Sequence, residues 1–415
     1  MLNSASWQLS HELALWRRLP PQVTGLIRVT RTRRNRYSLL SIASCALALS
    51  AVLGCGHSDL AAVDYKPQRI DGWRISTPAA QGLDPELVAE LYTGAAKLKT
   101  LYSLLVVKNG HLIAEGYFNA GAIDQLSGRQ SVTKSVTSAL VGIALEQGCL
   151  ESLDQRLVDF FPELEEQITD PRKKQITLRQ MLKMRAGYPN EESTPPYLEL
   201  LFFRDNWRFI PHLVDFPLTG DPGEKFQYSN LSSHLLGVAV ARACKTDLES
   251  YAQKRLFIPI GAAVEKWSRD ADGYNFGALE IYLTARDMAR FGQLYLGGGN
   301  YEGRQVLSTE WVENSLRSHS AGIRIGGWLT SRYGDFRNLG YGYQWWSARV
   351  GGHSFNYAAG HGANYIILLH DLDMIIVSTA DPLYGPELAA GGGWKFEGAI
   401  NKTVARFIKS LPTAN

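Results

Sequence analysis

The order of patterned segments predicts an α+β fold, in which one antiparallel sheet is flanked by helices and an all-helical lobe is inserted between its strands. Three observations carry this. Strand-like runs cluster in two places, 101–118 and 340–379. Between them, over roughly 150–317, helical patterns and loops dominate and strand-like runs are scarce. Helical patterns at 85–98 and 395–410 stand at either end and can pack back on the sheet. A chain of 415 residues, 45% of them hydrophobic, is ample for one unit with a body and an inserted lobe. Lys and Arg number 43 against 40 Asp and Glu, a net charge of +3 with no basic cluster beyond the first 36 residues, so nothing points to nucleic acid.

The N-terminus reads as an export segment. A basic cluster, Arg31-Thr32-Arg33-Arg34-Asn35-Arg36, precedes the apolar stretch 37–53 and then Val52-Leu53-Gly54-Cys55. Basic, apolar, then small residues before a cysteine is the order of a secretory signal with a lipobox-like end. A membrane-spanning helix is the rival reading, but the stretch contains Ser38, Ser41, Ser44 and Ser50 and lies at the short end of the spanning range of about 17 to 25 residues. Residues 1–54 are therefore expected to be an export segment and Cys55 a lipidation site. Residues 55–75 are expected to be a polar tether and 76–415 the folded unit. The thirty residues ahead of the basic cluster fit no ordinary signal, so either the n-region is long or the start lies downstream, and Arg33-Arg34 also permits a twin-arginine reading. The expected place is the periplasmic or cell-surface face of a membrane, held by a lipid anchor.

After the helix at 85–98, the runs 101–107 and 111–118 read as a hairpin, because Asn109-Gly110 is a favoured two-residue turn. A loop, Gly128-Arg129-Gln130, then leads into an apolar helical stretch that opens with Ser131-Val132-Thr133-Lys134. On a helix, positions i and i+3 share a face, so the Ser131 hydroxyl and the Lys134 amine can meet. A serine alcohol becomes an effective nucleophile when a neighbouring base takes its proton. Lys134 can be that base if burial lowers its pKa, and Val136, Ala139, Leu140, Ile143 and Ala144 supply an apolar body behind it. The tetrapeptide alone is equally compatible with a helix cap followed by a surface lysine.

A second element is Tyr228-Ser229-Asn230, between the turn Asp221-Pro222-Gly223 and the helical pattern Leu231, Leu235, Leu236, Val238, Val240. A tyrosine there can exchange a proton with the lysine or a leaving group, and an asparagine can hold the lysine or a substrate carbonyl. The third element runs from Phe355 through Gly360-His361-Gly362 into the apolar 363–369, a strand with small residues where a substrate would lie. Bare backbone is what an oxyanion hole needs, although a glycine-rich turn between strands has the same composition. Trp207, Trp345, Trp346 and Tyr188 are candidates for an acyl pocket, with core packing the commoner fate of such aromatics. Outside the export segment only Cys149 and Cys244 remain, read as buried thiols, and no histidine spacing suggests a metal site.

With the three elements in this order, the chain resembles the serine β-lactamase and penicillin-binding-protein superfamily. Within it, the likeness is to class C-like β-lactamase-related hydrolases, which include esterases and 6-aminohexanoate-dimer hydrolases. The stretches 176–182, 284–292 and 340–346 support this, and the likeness runs from about 101 to 379. The resemblance implies a β-lactamase/transpeptidase-like fold and a serine hydrolase that needs no cofactor or metal and acts on a small-molecule ester or amide. It makes Ser131 the acylated nucleophile, Lys134 its base and Tyr228 the proton relay to the leaving group, with either Lys134 or Tyr228 able to be the formal base. Asn230 matches the polar position of the second motif, and the backbone N–H groups of Ser131 and His361, beside Gly360, are the implied oxyanion donors. The family's third motif usually reads Lys or His, then Thr or Ser, then Gly; here Ala358 and Ala359 precede Gly360. The absent cation weakens an antibiotic-hydrolysing reading and leaves acyl transfer intact. Registered differently, His361 falls one position late for that role. The remaining readings are a β-lactamase, a D-alanyl-D-alanine peptidase, or a non-catalytic binding protein retaining the fold.

Overall fold

The computed structural model describes residues 63–191, 194–201, 207–323, 335–382 and 392–413. The export segment and Cys55 lie outside them. Among the described residues, seven strands form one antiparallel sheet: β1 Leu101–Lys108, β2 His111–Tyr117, β3 Arg337–Tyr341, β4 Trp346–Val350, β5 His353–Gly360, β6 Asn364–Leu369 and β7 Met374–Ala380. Their order is β2-β1-β7-β6-β5-β4-β3, so the first hairpin joins the last strand and closes the sheet across the inserted lobe. The expected hairpin is present: Asn109 and Gly110 both have positive φ, 50° and 68°, as a two-residue type I′ turn requires.

The strands read as unbroken apolar runs because both faces are covered. In β6 and β7, Ile366, Leu368, Ile375 and Val377 enter one core, while Tyr365, Ile367, Leu369, Met374 and Ile376 enter the other. On the second face lie α1, Pro85–Ala95, and α5, Gly392–Ser410, which pack on each other and on the sheet. On the first lie α2, Val132–Glu146, and α4, Ala285–Leu296. Helix α4 approaches so closely that a Cβ on Gly292 would stand 2.8 Å from Ile366. Helix α3, Asn230–Ala243, packs against α2 and carries the lobe.

Three expectations are adjusted. The stretch 340–346, which opens the strand-like region 340–379, is not one strand but holds the end of β3, a turn with Gln344 at φ 61°, and the start of β4. Helix α4, expected within the lobe, lies on the sheet, because its Arg286 reaches back to the first hairpin with paired contacts of 2.8 and 2.6 Å to Glu115. Residues 63–75, expected to be a tether, are bound to the body. Arg286 donates to Gln68 and Ile70 carbonyls, Arg290 donates to the Asp71 carbonyl, and Leu112 exchanges backbone bonds with Arg74 and Ser76. Two buried guanidiniums need acceptors, and this segment supplies them. Cys149 and Cys244, beyond the C-terminal ends of α2 and α3, are free thiols but only partly buried; burial and a hydrogen bond with Cys149 push Cys244 up to about 12.

Candidate active site

The chain enters α2 through a tightly held loop. Gln130 has φ 49°, a left-handed conformation unusual for a residue with a side chain. Arg129, 1% exposed, fixes the approach: its guanidinium donates to the Leu283 carbonyl (2.7 Å), Ser127 Oγ (2.7 Å), Asn364 Oδ1 (3.3 Å) and the Gln125 carbonyl (3.1 Å). Burial lowers this guanidinium to about 9. The Gln130 amide donates to Glu280 at 2.6 Å, and Glu280, whose carboxyl is pushed up by burial, also accepts from the Tyr282 hydroxyl at 3.0 Å.

Ser131 occupies the N-cap position of α2, yet its side chain makes no capping bond. Its Oγ accepts instead from Lys134 Nζ at 2.9 Å. Lys134 is 1% exposed, which disposes of the surface-lysine alternative. Its Nζ also donates to Asn230 Oδ1 at 2.7 Å and to the Ala278 carbonyl at 2.8 Å, and stands 4.9 Å from the centre of the Tyr228 ring. The i, i+3 spacing read from the sequence thus brings serine and lysine together, and Tyr228 and Asn230 join them from 94 or more residues away along the chain.

That second pair is placed by α3. Ser229 is its N-cap, accepting from Ser232 N–H at 3.1 Å, and the Tyr228 ring stacks on Trp346 with centroids 5.6 Å apart and meets Tyr341 edge-on. Of the four aromatic candidates, Trp346 therefore supports the site directly. Trp345 is buried against Phe291 and Tyr295, Tyr188 donates to the Leu213 carbonyl inside the lobe, and Trp207 packs on Phe276. Gln344 ties the halves together. Its carbonyl accepts from Ser135 of α2 at 2.7 Å, its Oε1 from Ser233 of α3 at 2.7 Å, and its amide donates to the Met181 and Leu182 carbonyls. Neither Gln344 nor the Ala278 carbonyl had been singled out from sequence. A backbone acceptor has no sequence signature, but the glutamine stood inside the quoted stretch 340–346.

The third element forms the wall opposite. Ala358 is fully buried on the α2 side of β5, and Ala359 is 7% exposed on the other face. Gly360 pairs with Asn364, and a Cβ there would fall 2.3 Å from the Arg129 carbonyl and 3.2 Å from the Gln130 Cβ. Only glycine lets this strand end lie against the loop that leads into α2. The next residue, His361, has its Nδ1 3.8 Å from Glu397 of α5, whose other oxygen accepts from Tyr365 at 2.8 Å. Among the described residues, no cluster of His, Cys, Asp and Glu is placed to hold a metal ion, and no helix is long and apolar enough to cross a membrane.

The comparisons with known proteins agree with this architecture. A family model described as Beta-lactamase matches residues 94–391. The 6-aminohexanoate-dimer hydrolase of Paenarthrobacter ureafaciens is 27% identical over 265 residues, a match covering 59% of this chain and 63% of the relative; the chain thus spans less than two thirds of that protein's length. Among solved structures, the D-amino acid amidase of Ochrobactrum anthropi SV3 aligns with a TM-score of 0.57 at 17% identity, over 78% of this chain and all of that one. The octameric penicillin-binding protein homologue of Pyrococcus abyssi aligns with a TM-score of 0.54 at 18% identity, over 74% and 75%. These structural likenesses carry the fold: a β-lactamase/transpeptidase-like sheet with flanking helices. With the family model covering well over half its length, the chain belongs to the beta-lactamase family.

Proposed function

We propose that this protein is an exported serine hydrolase that cleaves an ester or amide through an acyl-enzyme on Ser131. The observation that carries the reading is the 2.9 Å contact between Ser131 Oγ and a Lys134 Nζ that is almost wholly buried among neutral partners. In the neutral amine, the Ser131–Lys134 hydrogen bond runs the other way: Oγ–H donates to Nζ, and the proton passes to the amine as Oγ attacks the carbonyl carbon. The oxygen of the tetrahedral intermediate is received by the backbone N–H groups of Ser131 and His361; the close approach of Gly360 to Arg129 and Gln130, the residues just before Ser131, supports this placement. Collapse expels the alcohol or amine, protonated through Tyr228, whose ring lies against Lys134. A water then repeats the sequence in reverse and frees the acid.

The substrate class follows from the wall. A carboxylate-bearing β-lactam is ordinarily anchored by a cation where this chain has the buried Ala358, and loss of one charge-assisted hydrogen bond costs about 1.5 to 3 kcal/mol, or roughly ten- to more than a hundredfold in efficiency. Short-chain esters and linear amides are the preferred substrates on this reading. The relative named as a 6-aminohexanoate-dimer hydrolase and the structural neighbour named as a D-amino acid amidase support the amide half. Export and a diacylglyceryl anchor at Cys55 rest on the basic, apolar and cysteine order of 31–55. The test of place is mass spectrometry of the protein from its native host: a lipid-modified Cys55 at a new N-terminus is expected, and an uncleaved N-terminus with unmodified Cys55 overturns the anchor.

A further inference from the structure

Glu191 lies in the lobe, 38 residues ahead of the nearest residue its carboxylate touches, and is completely buried. Its Oε1 accepts from Ser229 Oγ at 2.7 Å and from the Leu231 N–H at 3.1 Å, and its Oε2 accepts from the Asn230 N–H at 2.9 Å. The carboxylate thus grips three successive residues at the start of α3. These immediately follow Tyr228 and include Asn230, whose side chain holds Lys134.

Capping does not require it. Ser229 already serves as the N-cap, and ordinary helices leave their remaining first-turn N–H groups to water. Burying a carboxylate is costly, and burial pushes this one up to about 7 against the opposing pull of its hydrogen bonds. What the arrangement adds is orientation. The Asn230 backbone is fixed from one side by Glu191 while its Oδ1 reaches Lys134 on the other, so a small rotation at the helix start would separate Oδ1 from Nζ and shift the Tyr228 ring.

We propose that Glu191 is a positioning residue for the reaction, clamping the 229–231 backbone so that Asn230 and Tyr228 stay in register with Lys134. This rests on the Ser131 acyl-enzyme reading. In Glu191→Gln the shape is kept, but the amide NH2 must face either the Asn230 N–H or the Leu231 N–H, donor against donor. The expected result, with an aryl acetate, is a kcat lowered about ten- to a hundredfold with KM changed less than threefold, since the clamp touches the proton shuttle and not the substrate.

The discriminating measurement is a double-mutant cycle with Asn230→Ala. If Glu191 acts in part through Asn230, Glu191→Gln costs several-fold less once Asn230 is gone, the remainder passing through Tyr228; a merely structural carboxylate would give fully multiplied losses. Wild-type kcat in folded Glu191→Gln, or fully multiplicative losses in the cycle, overturns the proposal. Should Glu191→Gln fail to fold, Glu191→Asp enters the same cycle: it keeps the charge one methylene short of its donors, and the same two outcomes decide. Ser131→Ala is run alongside; if it retains turnover, the acyl-enzyme reading has failed, a result distinct from either outcome of the cycle.

Discussion

The two walls of the site are built in opposite ways. On the α2–α3 side, three polar side chains are firmly held: Lys134 Nζ has three acceptors, Asn230 is bonded at side chain and backbone, and Gln344 bonds to three other segments. On the β5 side, the chain presents Ala358, Ala359 and Gly360, small residues pressed against the nucleophile loop. On the proposed mechanism the difference is a division of labour: a firmly held set of side chains moves the proton, and bare backbone meets the substrate. Each wall therefore breaks in its own way.

The largest effect is expected at the rigid wall. Ser131→Ala and Lys134→Ala should each lower kcat by at least about a thousandfold, and the double mutant should be little worse, because the two act as one unit. Rates measured on all three, with circular dichroism to show that they fold, check this. If the losses multiply, the two residues do not form one unit.

The open wall should break by obstruction. Gly360→Ala places a Cβ 2.3 Å from the Arg129 carbonyl and must push β5 off the nucleophile loop. Displacing one oxyanion donor costs about a hundred- to a thousandfold in kcat. Near-normal turnover by Gly360→Ala would show that the strand end is not where the oxyanion is held.

A smaller effect distinguishes substrates. The ratio of kcat/KM for a cephalosporin to that for an aryl acetate, on one preparation with Ser131→Ala as background, should lie well below one, since Ala358 offers a carboxylate no charge. A ratio above one reverses the ordering.

Much of both walls was legible in the sequence, and the line between legible and illegible is one of range. Ser131 and Lys134 are a helical turn apart, so their meeting is geometry the chain dictates locally. The Asn109-Gly110 hairpin and the unbroken apolar runs of β6 and β7 are local in the same sense. Gly360 was recognisable as bare backbone, but not that its partner would be the Arg129 carbonyl, 231 positions away. The Gln344 turn was taken for strand because its aromatic neighbours have strand propensity, and the long-range bonds to Met181, Ser135 and Ser233 that bend it are invisible in composition. Residues 63–75 looked like a tether for the same reason: the arginines that bind them lie more than 200 positions on.

The smallest prediction concerns pH and the rigid wall. Glu191 ionises near 7 when folded and near 4.5 in the unfolded chain, so between those values the folded protein binds more protons and stability falls as pH rises. The contribution is about 3 kcal/mol at most. The clamp ionises as pH passes about 7, so activity should rise across the upper end of that interval, where stability is still falling. Comparing the pH dependence of unfolding free energy in wild type and Glu191→Gln isolates this contribution; parallel curves would show that Glu191 is not what titrates.

The central claim, that a buried lysine activates Ser131 as the acylated nucleophile, is tested most directly by covalent capture. Incubation with an active-site-directed aryl phosphonate, followed by intact-protein and peptide mass spectrometry, should show one phosphonyl group per chain, located on Ser131. Labelling should be absent in Ser131→Ala and slowed at least about a hundredfold in Lys134→Ala. Labelling of another residue, or labelling of Ser131 at an undiminished rate without Lys134, would contradict the account.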